Sequence, residues 1–171
     1  MSEFKFVQWG KNVPVDYQRL NTMMINEQYL KDVADKAPRG VLAYAQTTSN
    51  TSLTAAGSYT DLSGLSSTSF SVEANRMVKI TLTGFSLQTS SSPNAIYLAL
   101  SIDGAAPTND SQTIIRLTTT NAEHFPNVTY INNAFSVGTH TVKPQVWQYA
   151  ATTLTVTGPI RLLVEDIGSA V

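Results

Sequence analysis

The 171-residue sequence contains no cysteine. Disulfides, thiolate metal sites and cysteine nucleophiles are therefore excluded. Charge is scarce as well: Asp, Glu, Lys and Arg make up 13% of the chain, about half the share usual in a soluble domain. Lys and Arg form no run and the net charge is −1. Non-specific nucleic-acid binding thus lacks its main driving force, the release of counterions, and no nucleic-acid partner is expected. No run of 18 apolar residues occurs, so no helix is expected to insert into a membrane. Met1–Val7 has no long apolar stretch followed by a small-residue cleavage site, and no signal peptide is expected. There are only two histidines, His124 and His140, and no Gly-x-Ser-x-Gly elbow, the strand-to-helix turn that presents a nucleophilic serine.

Hydrophobic residues make up 42% of the chain, enough for a packed core, and Thr and Ser abound from Thr47 onward. Threonine favours strands because its branched Cβ suits a pleated surface. The length fits one domain with a small appendage.

The periodicity changes once, near Gly40. Before it, Phe4, Phe6, Val7 and Trp9 form a short aromatic segment, too short to fold alone and expected to dock on another surface. Val13-Pro14-Val15-Asp16 is a helix start, with Asp16 placed to cap the first turn. No Gly or Pro interrupts Tyr17 to Lys36, and Ala37-Pro38-Arg39-Gly40 ends the helix. Leu20, Met23, Glu27, Leu30, Ala34 and Ala37 recur at alternating spacings of three and four, the pattern of a coiled-coil seam. Glu27 interrupts it, and an amphipathic helix lying on the following domain is the alternative.

Past Gly40 the apolar rhythm has a period of two, with strands expected over Val41–Gln46, Tyr59–Leu65, Phe70–Val72, Arg76–Gln88, around Ile96–Ile102, Thr113–Thr119, around Val128–Tyr130, around His140–Val146 and from Ile160 towards Gly168. In the Arg76–Gln88 stretch Val78, Ile80 and Leu82 share one face, but Phe85 and Leu87 are out of phase with them. A one-residue slip turns an apolar face to water unless the chain bends, so a bulge or kink is expected at Gly84. Pro144 shares a face with His140, Val142 and Val146 and cannot donate to a ladder, so an edge or a bulge is expected there. Some eight to ten short strands with one-sided alternation and no later helix predict an antiparallel β-sandwich or jelly roll. The expected division is a docking segment and helix over 1–38 and a β-sandwich over 39–171.

Few residues invite chemistry. His140 is in phase with Val142 and Val146, which predicts a core-facing imidazole with its hydrogen bonds satisfied rather than a metal ligand. His124 has no carboxylate or second histidine at ligand spacing. Asp103-Gly104 and Asn109-Asp110 offer the oxygens of a calcium loop, but turn chemistry accounts for both. Glu165 and Asp166 are adjacent, so they should point to opposite faces of a strand rather than across a cleft as a glycosidase pair must. Trp147 and Tyr149 project opposite to Val146, beside a polar turn from Gln148 to Thr153. Outward aromatics of this kind suit a subunit interface or a surface on which sugars stack.

Several segments resemble minor tail proteins of phages that infect actinobacteria: Trp9-Gly10 followed by Val15-Asp16-Tyr17-Gln18-Arg19-Leu20-Asn21, then Pro38-Arg39-Gly40-Val41-Leu42-Ala43-Tyr44, Ser58-Tyr59-Thr60-Asp61-Leu62 with Phe70-Ser71-Val72-Glu73-Ala74, Gly138-Thr139-His140-Thr141-Val142, and Leu163-Val164-Glu165-Asp166-Ile167-Gly168. The resemblance covers most of the chain in order. It implies a virion tail component with a jelly-roll domain similar to tumour-necrosis-factor-like trimers, and it implies no catalytic residues.

The expectation is a non-enzymatic homotrimer without metal or cofactor. Leu20, Met23, Leu30 and Ala34 would line a three-fold helix seam and one apolar sheet face would complete the contact. Phe4, Phe6 and Trp9 would plug into a neighbouring subunit or another tail protein. The loops Ser90–Asn94, Ala105–Ser111 and Gln148–Thr153 would be free to meet a host surface. The alternative is a carbohydrate-binding module that takes host cell-wall glycans on Trp147 and Tyr149.

Overall fold

In the computed structural model, residues 17–54, 56–65, 68–132 and 135–169 are described. The docking residues Phe4, Phe6 and Trp9 and the cap Asp16 lie outside them. The chain forms two compact units, Met1–Pro38 and Arg39–Val171.

In the first unit, helix α1 spans Tyr17–Lys36. It ends because Pro38 disfavours helical geometry at Ala37, whose N–H still reaches the carbonyls of Val33 and Ala34. Gln28 donates to Asp32 one turn on, a pairing that supports an exposed helix face.

In the second unit the strands among the described residues are β1 (Gly40–Thr47), β2 (Thr51–Leu53), β3 (Thr60–Asp61), β4 (Thr68–Val72), β5 (Arg76–Thr83), β6 (Ser86–Thr89), β7 (Asn94–Ile102), β8 (Gln112–Leu117), β9 (Val128–Asn132), β10 (Gly138–Gln148), β11 (Leu154–Thr157) and β12 (Ile160–Ser169). All the pairings are antiparallel. One sheet has the order β1-β12-β5-β9, a second β3-β10-β7-β8 with β4 also on β10, and a third β2-β11-β6.

The third sheet is the first one continued. Strands β1, β12 and β5 lie side by side, and so do β2, β11 and β6, their partners across short breaks in the chain. Likewise β3 and β4 flank the same edge of β10, one after the other, with a shift of register between them. Merged this way, eight strand lines remain, in the order first-eighth-third-sixth in one sheet and second-seventh-fourth-fifth in the other. That is the jelly roll, eight strands in two Greek keys. The fold is therefore mainly β, an antiparallel jelly-roll sandwich preceded by one α-helix.

The kink expected at Gly84 is present, and it belongs to a line of three. Gly84 has a φ of +80°, and a Cβ there would come within 2.8 Å of the Pro159 carbonyl oxygen. Gly158 in turn is so close to Thr48 that a Cβ would come within 3.1 Å of its backbone. The breaks in the three neighbouring strand lines are thus stacked, and the whole sheet bends at one level. Past the bend Phe85 and Leu87 are buried, as the phase slip requires.

The core lies between the two main sheets. Val78, Ile80 and Leu82 of β5 and Leu162 and Val164 of β12 face Ile96, Leu98 and Leu100 of β7 and Val142 and Val146 of β10. Two points differ from expectation. Of the edge or bulge expected at Pro144, the edge is absent, since β10 has β7 on one side and β3 with β4 on the other. The flanking pairing is nonetheless irregular opposite it, where the register shifts between the pair Val142 with Thr68 and the pair Gln145 with Asp61. The Pro144 carbonyl accepts the N–H of Leu62, and in a strand a residue's N and O point the same way. The missing donor therefore faces the gap between Thr68, the end of β4's pairing, and Asp61, the end of β3's. Second, β11 is a strand that the sequence reading did not place: it begins at Leu154, directly after the expected polar turn, and pairs with both β2 and β6.

Candidate functional site

The outer face of the β3-β10-β7-β8 sheet carries the aromatic cluster. Register places Trp147 opposite Tyr97 and Tyr97 opposite Ile114, and residues directly opposite share a face. Tyr149 continues the next row: its N–H donates to the Ala95 carbonyl, and Ala95 pairs with Arg116. Tyr97 and Trp147 meet edge to face, centroids 4.8 Å apart at 87°, the arrangement that ring quadrupoles favour. Trp147 and Tyr149 are 6.3 Å apart and tilted by 55°. Trp147 is partly exposed and Tyr149 largely so.

The turn that presents Tyr149 is held from below. Gln148 is fully buried, donates to the Thr152 carbonyl at 2.9 Å and accepts from Asn94 at 3.3 Å. The Asn94 side-chain oxygen, Oδ1, accepts the Ala150 N–H at 3.1 Å. Ser90 and Thr153 exchange hydrogen bonds on the same end. Ser90–Asn94 and Gln148–Thr153, though exposed along much of their length, are not independent of each other: a buried amide network ties them together, and such a network is costly to leave half-made. Nor do the three loops form one set, since Ala105–Ser111 follows the opposite end of β7.

The rest of this face is polar and mostly neutralised. Asp61 pairs with Lys143 at 2.5 Å and accepts from Gln145 at 2.8 Å. The Gln145 hydrogen bond, then that of Lys143, holds the Asp61 carboxyl below its ordinary value against the opposing effect of burial. Tyr59, beside β3, donates its hydroxyl to Gln112 on β8. That bond spans the two intervening strands, and Ala99 between them is buried although it is in the outward phase. Burial, and then neighbouring Tyr97, raises the Tyr59 pKa. Ala95, four residues earlier, is not covered. A cavity of about 340 Å³ opens there, lined by Pro93, Asn94, Ala95, Arg116, Thr118 and Tyr149.

Away from this face, His140, Asp103, Glu165 and Asp166 are engaged by neighbours within the fold. The His140 imidazole is buried, with Nδ1 2.7 Å from Asp103 and Nε2 2.9 Å from the Ser136 carbonyl. Both nitrogens face acceptors, which only the charged ring satisfies. Hence its pKa is raised, first by the Asp103 hydrogen bond, against a smaller opposing effect of burial. Asp103, which also accepts the Thr141 N–H at 2.7 Å, has its own lowered by His140 first. The oxygen that a calcium loop would need from Asp103 is thus already engaged. His124 forms a bridge with Leu87, and its Nε2 is buried without a partner. Glu165 and Asp166 do face opposite ways: Glu165 meets Lys79 on the outside, while Asp166 is buried and takes a bidentate contact from Arg76, both at 2.7 Å. Burial alone would raise the Asp166 pKa, but the Arg76 and Gly168 hydrogen bonds outweigh it and the net direction is down. Among the described residues no group of three His, Asp or Glu side chains is placed to hold a metal ion.

The helix residues read as a seam are exposed in the single chain: Leu20, Met23 and Leu30 by 49%, 38% and 56%, and Ala34 too. Met24 and Val33, off the seam, are exposed as well. On the outer face of the β1-β12-β5-β9 sheet, Val41 and Tyr44 flank Glu165 and Leu163, and Ile131 flanks Lys79. Val41, Tyr44 and Ile131 are 61%, 54% and 54% exposed. Thr81, between Leu163 and Thr129, has a buried hydroxyl without a partner.

The sequence pointed to Trp147 and Tyr149 but not to Tyr97, Ala95 or Arg116, because strand register and not spacing brings these together. The Asn94–Gln148 network was equally hidden: only the phase of Gln148 with Val146 hinted that it faces inward.

No family model matches this chain, and neither does any curated protein. The jelly-roll assignment rests on the strand order. A solved structure described as "CBM4 structure and function" is similar at 13% identity and a TM-score of 0.38, over 78% of this chain and 81% of that one.

Proposed function

We propose that this chain is a non-enzymatic structural subunit of a bacteriophage tail that assembles as a homotrimer. The observation that carries the self-association is the apolar surface a single copy leaves in water: the Leu20, Met23 and Leu30 side of α1, and the Val41, Tyr44 and Ile131 face of the β1-β12-β5-β9 sheet. Exposed apolar patches of this kind mark interaction sites, and closed symmetric oligomers satisfy them with the same surface repeated. The ordered resemblance of the segments from Trp9 to Gly168 to minor tail proteins supports the virion tail as the place of assembly and other tail proteins as its neighbours. Gold-labelled antibodies against the chain test this on the virions of the phage that encodes it. Decoration of the tail is expected, and label confined to the capsid, or absent from intact particles, would overturn it.

A second reading, binding of a cell-wall glycan, is favoured by one specific feature, the Tyr97–Trp147–Tyr149 cluster on the opposite sheet. Flat rings on an open β-face suit the apolar faces of sugars. The two readings are compatible, since the self-association surface and the aromatic cluster lie on different sheets.

A further inference from the structure

We infer that the cavity beside Tyr149 is a subsite for an anionic saccharide, a sugar ring carrying a carboxylate or phosphate, with Arg116 as the residue that selects the charge. This rests on the glycan-binding reading and adds to it the class of sugar.

The cavity follows from one small residue. Ala95 lies on β7 between Tyr149 on the β10 side and Arg116 on β8. Neighbouring strands are about 4.8 Å apart, so the two large side chains stand about 10 Å apart, with only a methyl group between them. The rows on either side differ. Tyr97 fills the middle of the adjacent row, and Ala99, two further along, is buried under the Tyr59–Gln112 bond. At Ala95 the floor is open, and there the cavity of about 340 Å³ forms, within the range typical of small-molecule sites.

Its charge is one-sided. No carboxylate is among the lining residues. Asp61, on the same face, is taken by Lys143 and Gln145, whereas Arg116 makes no ion pair among the described residues. A guanidinium presents paired donors that match a carboxylate or phosphate edge. Tyr149 offers a ring face for stacking, and Thr118 a hydroxyl for a sugar oxygen. The amide network beneath the turn fixes the Tyr149 backbone before any ligand arrives, so little ordering is needed on binding. A ring laid against Tyr149 with its acidic group towards Arg116 would use each of these groups.

The test is calorimetric titration of the full chain with two trisaccharide probes, trigalacturonate and its neutral galactose counterpart. The acidic probe is expected to bind about tenfold more tightly at low salt, the size of one charge-assisted hydrogen-bond pair, and Arg116→Gln should erase that preference, so that the two probes bind the variant equally. The preference should shrink as salt rises, because Arg116 is exposed and screening is strong there. Equal or tighter binding of the neutral probe would overturn the anionic assignment and leave the stacking surface standing. An acidic preference that survives Arg116→Gln would remove Arg116 from it. Binding of neither probe would overturn this subsite together with the glycan reading.

Discussion

Each main sheet of the sandwich turns an outer face to solvent, and the two faces differ in kind. On the β1-β12-β5-β9 sheet, Val41, Tyr44, Leu163 and Ile131 surround a single Lys79–Glu165 pair, and an unpaired hydroxyl, that of Thr81, sits in the middle. On the β3-β10-β7-β8 sheet, aromatic rings stand beside Asp61, Lys143, Gln145 and Arg116. The first offers mainly apolar area, with Arg161, Gln46 and Thr83 in the row next to Leu163, which suits a flat contact with another copy. The second combines rings with directed donors, which suits a polar ligand that must be oriented. A sandwich can separate assembly from recognition because its two outer faces share only the core between them.

The largest expected effect breaks the frame that both faces share. Arg76 and Asp166 are buried partners, so Arg76→Ala leaves a carboxylate without its cation. Loss of one partner of a buried pair costs about 3–5 kcal/mol, read as a fall in the urea denaturation midpoint, with assembly and ligand binding failing together. An unchanged midpoint would show that the pair does not hold the ends of β5 and β12 together. Leu163→Lys comes next and should act on one face only. A charge placed in an apolar contact is expected to weaken self-association by about a hundredfold in sedimentation, with glycan titration unaltered. Trp147→Ala is its mirror: glycan affinity should fall by about tenfold to a hundredfold while the assembled mass stays the same. Either variant moving both readouts would collapse the distinction between the faces.

The smallest effect is a pH dependence at the His140–Asp103 pair. The His140 pKa is raised above the ordinary 6.5, so its contribution is complete below that value and is lost as pH rises through the folded value. The Asp103 pKa is lowered from 3.8, so its contribution is present above 3.8 and is lost as pH falls through the folded value. The pair therefore stabilises most between pH 3.8 and 6.5. Between pH 6 and pH 9 the denaturation midpoint should drop further in the wild-type chain than in Asp103→Asn, whose side chain still reaches His140 but carries no charge. Equal slopes would remove the pair from the account.

Local signals in the sequence were sufficient for the frame. The alternation Val78-Ile80-Leu82, its slip at Gly84, the inward phase of His140, Val142 and Val146, and the stop at Pro38 are all readable within a few residues, and the structure has a strand, a bend, a buried face and a helix end at those places. What was not readable depends on pairing across the chain. Gly84 gave no sign that Gly158 and Thr48 would bend beside it. Arg76 and Asp166 lie 90 positions apart. Pro144 looked like an edge residue because nothing local reveals that the flanking strand line is interrupted opposite it. The candidate site belongs to the same class: Trp147 was visible as an outward ring, but Tyr97 and Arg116 join it through register alone.

The central claim is that the aliphatic face and the α1 seam are covered by further copies of the chain. Sedimentation equilibrium of the full-length protein at micromolar concentration tests it directly. The account predicts a particle of three times the 18.5 kDa chain mass, reduced to single chains by Leu163→Lys. A mass of one chain at every concentration would contradict it.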